Sequence, residues 1–230
     1  MGEAKALTSE PCLQDDGCLK AIVKLIAMTI EKYREALLRR LADGNNWPSF
    51  RNAEWLQFLD LLAMQPDSLN STKDKLSSVF IYHALAEEML KLTEERCRFY
   101  IMCCVFPDRI LFPREQRKFF GQRIRDLRSG LSVGDKDLFL DSCEQLNKKR
   151  VSFAHKLTQY KKLIDVRHCI GDINSVFNNV IVNFSFVEAD FYQKFYALQK
   201  QFKRKGIFRK YGIMATSIPE RKWGTNVSFT

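Results

Sequence analysis

Arg150 and His155 are the two residues whose types and spacing best suit chemistry on a charged substrate. A histidine moves protons near neutral pH, and a fixed guanidinium binds phosphate oxygens through paired hydrogen bonds. Both lie in the segment Leu146-Asn147-Lys148-Lys149-Arg150-Val151-Ser152-Phe153-Ala154-His155-Lys156-Leu157-Thr158. The apolar stripe of this helix runs Phe139, Cys143, Leu146, Phe153, Leu157 and Tyr160, and Arg150 stands in it where the period requires an apolar residue. A charge so placed has a partner or a task. His155 lies about 140° further round a straight helix. A kink would bring the two together, and so would a two-fold dimer in which each copy supplies both. The competing reading is an Arg held in a buried ion pair and an unconnected surface His. Ser152, one turn from His155, is a candidate phosphate contact, with plain solvent exposure as the alternative.

Other site chemistries find little footing. The seven cysteines show no paired C-x2-C spacing, so a zinc site is not expected. Free buried thiols in a reducing cytoplasm are the simplest reading. Glu87, Glu88, Glu94 and Glu95 have no His at i+3, so they read as a solvated, salt-bridged helix face rather than a carboxylate metal site. His83 reads as a satisfied core or interface histidine. Glycine-rich phosphate loops and a G-x-S-x-G elbow are absent, which argues against P-loop, Rossmann and hydrolase enzymes. No metal and no cofactor is expected.

Charge is unevenly spread. Between Lys194 and Lys222 there are nine Lys/Arg and one acid, out of a net charge of +10 for 230 residues. Phe195, Tyr196, Phe202, Phe208 and Tyr211 interleave with the cations. Cations neutralise phosphates and aromatics stack on bases, so Lys203, Arg204, Lys205, Arg209 and Lys210 are candidate RNA contacts. The alternative is a solvated basic helix end.

The elements that position these residues are read as helices. Apolar residues make up 46% of the chain, while glycine (10) and proline (6) are scarce, which favours long helices over a many-turned β fold. No apolar run reaches the ~18–20 residues of a spanning helix, and no secretory leader precedes the first helix, so no membrane is expected. Residues 1–16 read as a leader and 17–66 as an N-terminal helical extension. The extension comprises a helix from Cys18 to Asp43 (Ile22, Ile26, Thr29, Tyr33, Leu37 and Leu41 inward, Gly44 as C-cap) and one from Arg51 to Met64. In the second, Trp55, Phe58, Leu59 and Leu62 share one side. Pro66 to Thr72 is the linker. The bundle spans 67–210: a helix Lys73–Val105 with Leu76, Phe80, His83, Glu87, Leu90, Cys97 and Ile101 near one stripe; one from Pro113 to Ser129 with Phe119, Phe120, Ile124 and Leu127 inward; and one from Lys136, N-capped by Asp135, to about Leu163. The last helix carries a seam of Ile170, Ile173, Phe177, Val180, Phe184, Val187, Phe191, Phe195, Leu198 and Phe202. Val180–Val187 alone would suit a strand, but the 3.6-residue period on both sides decides for helix. Residues 211–230 read as a tail.

On these residues the chain resembles the HEPN family (higher eukaryotes and prokaryotes nucleotide-binding), an all-α group. Its mark is an Arg, four to six residues, then a His on a late helix of the bundle. Here Arg150 and His155 have four residues between them, Leu146-Asn147 precede the Arg, Phe153-Ala154 precede the His, and a further helix begins near Leu163. The resemblance covers about Lys73 to Phe202. It implies a metal-independent endoribonuclease working as a homodimer, with a role in stress response or defence. In it His155 would move protons for attack by an RNA 2′-hydroxyl and Arg150 would stabilise the charge building on phosphate. One residue departs from the pattern: nuclease members usually carry a polar residue, often Asn, directly after the Arg, and this chain has Val151. Two other readings stand beside the enzyme: a non-catalytic α-helical RNA-binding module, and an interaction protein whose seam docks a helical partner.

Overall fold

The computed structural model describes residues 16–64, 72–112, 118–130 and 133–216. The expected leader up to residue 15, the linker 65–71, the segment around Pro113 and the tail from 217 lie outside the described residues. So do the side chains of Ile22 and Leu62. Among the described residues the chain is all-α and has no strand: α1 (Asp16–Ala42), a 3-10 turn (Gly44–Asn46), α2 (Ala53–Met64), α3 (Thr72–Cys104), α4 (Phe120–Arg128), α5 (Lys136–Lys156), α6 (Leu163–Arg204) and α7 (Ile207–Lys210). No described helix is long and apolar enough to cross a membrane.

α6 is the axis of the bundle, and its seam is why. Ile170, Ile173, Phe177, Val180, Phe184, Val187, Phe191, Phe195 and Phe202 are all buried, and Leu198 is half-buried. One face of this 42-residue helix carries them in register from Ile170 to Phe202, so the strand alternative at Val180–Val187 has no place. α3 and α5 close over that face. Tyr82 stacks on Phe177 at 4.4 Å, Phe99 meets Phe195 edge-on at 5.1 Å and Phe139 packs on Phe184 at 5.5 Å. The C-terminal half of α1 joins the same core through Leu37, Leu38 and Leu41. Gln199 of α6 donates to the carbonyls of Ala42 (2.8 Å) and Leu41 (3.3 Å), satisfying orphan acceptors at the end of α1. Trp47 lies against Phe195 at 5.3 Å.

Several expected faces are corrected. Phe80 is 67% exposed, and the buried face of α3 runs one position away, through Val79, Tyr82, Ala86 and Leu90. Trp55 and Phe58 stack on each other in solvent, while Leu56 and Leu59 pack on the core. Ile26 and Thr29 are exposed, so only the second half of the α1 stripe is inward. Phe119 is 75% exposed because α4 starts only at Phe120; the Phe119 backbone N–H donates to Gln122 Oε1 at 3.0 Å instead. α5 stops at Lys156 rather than near Leu163, and residues 157–162 turn the chain into α6. Asp135 precedes α5 but makes no side-chain cap. Gly44 does not cap α1: it opens the 3-10 turn, in which Asn45 N–H donates to Asp43 Oδ1.

The acidic face of α3 is only partly solvated. Glu87 and Glu88 hold Lys91 at 3.4 and 2.5 Å. Glu94 is buried and accepts from Arg98 (2.7 Å), Lys118 (2.9 Å) and Arg123. It thereby ties α3 to α4, a role the charge pattern alone conceals. No group of described His, Cys, Asp and Glu is placed to hold a metal ion. Cys97, Cys103 and Cys143 are buried free thiols, and burial pushes Cys97 up to about 11 and Cys103 up to about 12.

Candidate functional site

α5 carries both Arg150 and His155. It is a single helix through both residues. At about 100° per residue the two side chains leave the helix about 140° apart. Arg150 points toward α3. It is half-buried, and its terminal nitrogen donates to Asn147 Oδ1 at 3.3 Å. Its Nε is buried without a hydrogen-bond partner. No described carboxylate lies within ion-pair distance, so the buried ion pair considered as a competing reading is not formed among the described residues. His155 is exposed in the last turn of α5, on the opposite side of the strip formed by Ala154 and Val151.

The sequence placed no partner beside Arg150, yet the fold brings His83 there from α3. The His83 ring stacks on Phe120 at 4.5 Å, and its Nε2 is buried without a partner. Burial pushes the imidazole below its ordinary value, and the Arg150 charge pushes the same way. Within a single chain His83 is thus a neighbour of an uncompensated guanidinium and lacks the partner expected of a satisfied core histidine. Its only sequence signal was a histidine one turn from Leu76–Phe80 on the same helix.

On the other side of Arg150 a small cavity of about 180 Å³ opens between α5 and the start of α6, lined by Lys149, Ser152, Phe153, Lys156, Tyr160 and Cys169 among others. Ser152 is exposed there, flanked by two lysines. Lys149 reaches Asp172 at 3.5 Å, and Tyr160 Oη lies 3.0 Å from Cys169 Sγ.

The basic segment has a different layout from the one expected. Lys203, Arg204, Lys205, Arg209 and Lys210 are all exposed, and none is in an ion pair among the described residues. The interleaved aromatics are mostly structural: Phe195, Phe202 and Phe208 are buried, Tyr211 packs on Phe106, and only Tyr196 is free for stacking on a base. Gly206 causes this. Its φ of 67° is left-handed, a conformation other residues rarely adopt, and it turns the chain so that α7 folds Phe208 back onto Phe202. The cations therefore form a shell over a local aromatic core.

The two expected sites do not meet. α5 contacts α6 near Asp172, and the basic segment begins at Lys203. At 1.5 Å per residue the two lie about 45 Å apart along α6. Comparison of the chain with family models, with curated proteins and with solved structures found no match.

Proposed function

We propose that this chain is a HEPN-type, metal-independent endoribonuclease that acts as a two-fold dimer and holds RNA at the basic end of α6. The reading is carried by one observation: Arg150, half-buried without a carboxylate, and His155, exposed, flank a solvent-facing strip of the small residues Ala154 and Val151 on one unbroken helix. Small apolar residues let two helices approach closely. Two α5 helices packed on that strip about a two-fold axis would set each Arg150 across from the partner's His155. Exposed Leu157, Leu163 and Ile164 at the α5–α6 corner would extend such a contact.

In this site the substrate 2′-oxygen attacks phosphorus and the P–O5′ bond breaks. His155 takes the 2′-hydroxyl proton and later returns it to solvent, while the departing O5′ takes a proton from water. Arg150 holds the phosphate oxygens as negative charge builds on them. The products are a 2′,3′-cyclic phosphate and a 5′-hydroxyl, and no metal takes part. The test is purified protein with RNA in EDTA. Cleavage leaving a cyclic phosphate and blocked by 2′-deoxy substitution at the cut site is expected; intact RNA would overturn the enzyme reading.

The second reading, RNA binding without cleavage, is favoured by the five unpaired cations of the basic segment. Replacing all five with Gln should weaken binding of long RNA and flatten its salt dependence, with little change in melting temperature, since exposed charges stabilise little. The ~45 Å spacing adds a distinction: oligonucleotides too short to span it should be cut equally well by the five-Gln variant. Filter binding across a salt series checks the first outcome, and gel assays of short and long substrates check the second.

A further inference from the structure

A cleft of about 550 Å³ lies between the end of α1, the loop around Trp47 and the C-terminal half of α3, far from α5 in sequence and built by different elements. Among the described residues its polar wall holds Arg40, Arg51 and Arg98 beside the Glu95 carboxylate. Two guanidiniums lie over aromatic rings: Arg40 over Phe99 at 4.8 Å and Arg98 over Phe112 at 5.6 Å. Stacking fixes the plane of a guanidinium and leaves its edge N–H groups free to donate. Arg51 uses one nitrogen on Glu95 at 2.9 Å, and Arg98 uses one on Glu94 at 2.7 Å. Arg40 has no carboxylate partner among the described residues; its Nε donates to the Asn46 carbonyl at 2.8 Å. Burial pulls the Arg40 guanidinium below its ordinary value, against the opposing pull of the Glu95 carboxylate, and the Arg51 charge adds a smaller lowering effect. The rest of the lining includes Met102, Phe112 and Trp47, an apolar wall beside the cationic one.

We propose that this cleft binds a small organic phosphate, with the phosphate on the free edges of Arg40, Arg51 and Arg98 and an apolar, flat body against Phe112 and Met102. Three guanidiniums converge on two carboxylates, Glu94 and Glu95, each of which engages only one of them; an anion takes up the remaining N–H edges, whose paired geometry matches phosphate. The apolar wall gives the body of the ligand a surface that inorganic phosphate cannot use. This site is independent of the ribonuclease reading, which rests on α5.

Calorimetry on the full chain with phenyl phosphate, benzoate and inorganic phosphate tests it. Phenyl phosphate should bind at one site, roughly tenfold or more tighter than either of the others. Arg40→Gln and Arg51→Gln should each weaken it about tenfold. The Arg51 side chain is 80% exposed, so its loss leaves the fold intact. Glu95→Gln should tighten binding several-fold, a gain that misfolding cannot mimic. His155→Ala should leave binding unchanged. Absence of phenyl phosphate binding up to about 10 mM, affinity unaffected by Arg51→Gln, or equal affinity for inorganic phosphate would overturn the proposal.

Discussion

His155→Ala should lower RNA cleavage by about 10²–10⁴-fold, the usual cost of removing a proton-transfer group, while melting temperature and oligomeric state stay as in the wild type. The second half of that expectation follows from position. His155 is exposed in the last turn of α5 and makes no hydrogen bond among the described residues, so its removal leaves no cavity and no orphaned partner. A His at a helix C-terminus does interact favourably with the helix dipole when protonated, but that contributes only ~0.3–1 kcal/mol. A purely structural surface histidine would therefore change cleavage barely at all, and the two readings differ by orders of magnitude. Arg150 is the less clean probe, because it is half-buried and its Nε is buried. Single-turnover cleavage of a labelled RNA in EDTA, with calorimetric melting and sedimentation alongside, separates loss of chemistry from loss of fold. A His155→Ala protein that cuts as fast as wild type would end the enzyme reading. Val151, apolar where nucleases of the resembled family usually carry a polar residue, would then be the first difference to repair.

Glu94→Gln should destabilise the fold by about 3–5 kcal/mol, the typical cost of removing one member of a buried ion pair. Glu94 is 7% exposed and is the common acceptor for Arg98, Lys118 and Arg123, of which Arg123 is itself buried. Neutralising the carboxylate leaves Arg98 and the buried Arg123 without their carboxylate, while Lys118 keeps Asp126 at 2.8 Å. The pH dependence has a definite sign. Burial pushes the Glu94 carboxyl up, but the bond from Lys118 and the charges of Arg123 and Arg98 outweigh it and hold the group below its ordinary value. A carboxylate depressed on folding contributes stability that is present above its unfolded value and lost as pH falls through the folded one. Wild-type stability should thus fall in that acid range, and the Glu94→Gln variant should show a flatter profile there. Urea unfolding at a series of pH values reads both. Glu144→Gln, which removes an exposed partner of Lys148, serves as the control and should leave the midpoint nearly unchanged.

The contrast between α6 and α3 explains what the sequence could disclose. On α6 the apolar residues occupy one face and the rest is polar, so period and burial coincide from Ile170 to Phe202. On α2 and α3 apolar residues fall on two adjoining faces. Which face is buried then depends on the helix packed against it: local pattern picked Phe80 where the fold buries Val79, and Trp55 and Phe58 beside Leu59 where the fold packs Leu56 and Leu59. The oddity of Arg150 was legible, because a charge broke an otherwise apolar stripe. What surrounds it was not: His83 arrives from a helix 67 residues earlier, and its burial over Phe120 depends on how α4 lies across α3. Exposure of the five C-terminal cations was legible too. The burial of the aromatics between them was not, since it hinges on the left-handed turn at Gly206 folding α7 back.

The central claim is that Arg150 of one copy acts with the partner's His155, and mixing two inactive variants tests it most directly. Arg150→Met keeps the apolar stem and removes the donors; His155→Ala removes the proton carrier. Each homodimer should be inactive. After subunit exchange, half of the dimers are mixed, and each mixed dimer holds one pair with both Arg150 and His155 intact. The mixture should therefore regain about a quarter of the wild-type rate per chain. A mixture no more active than the sum of its two parents, with mixed dimers demonstrated to have formed, would contradict the account.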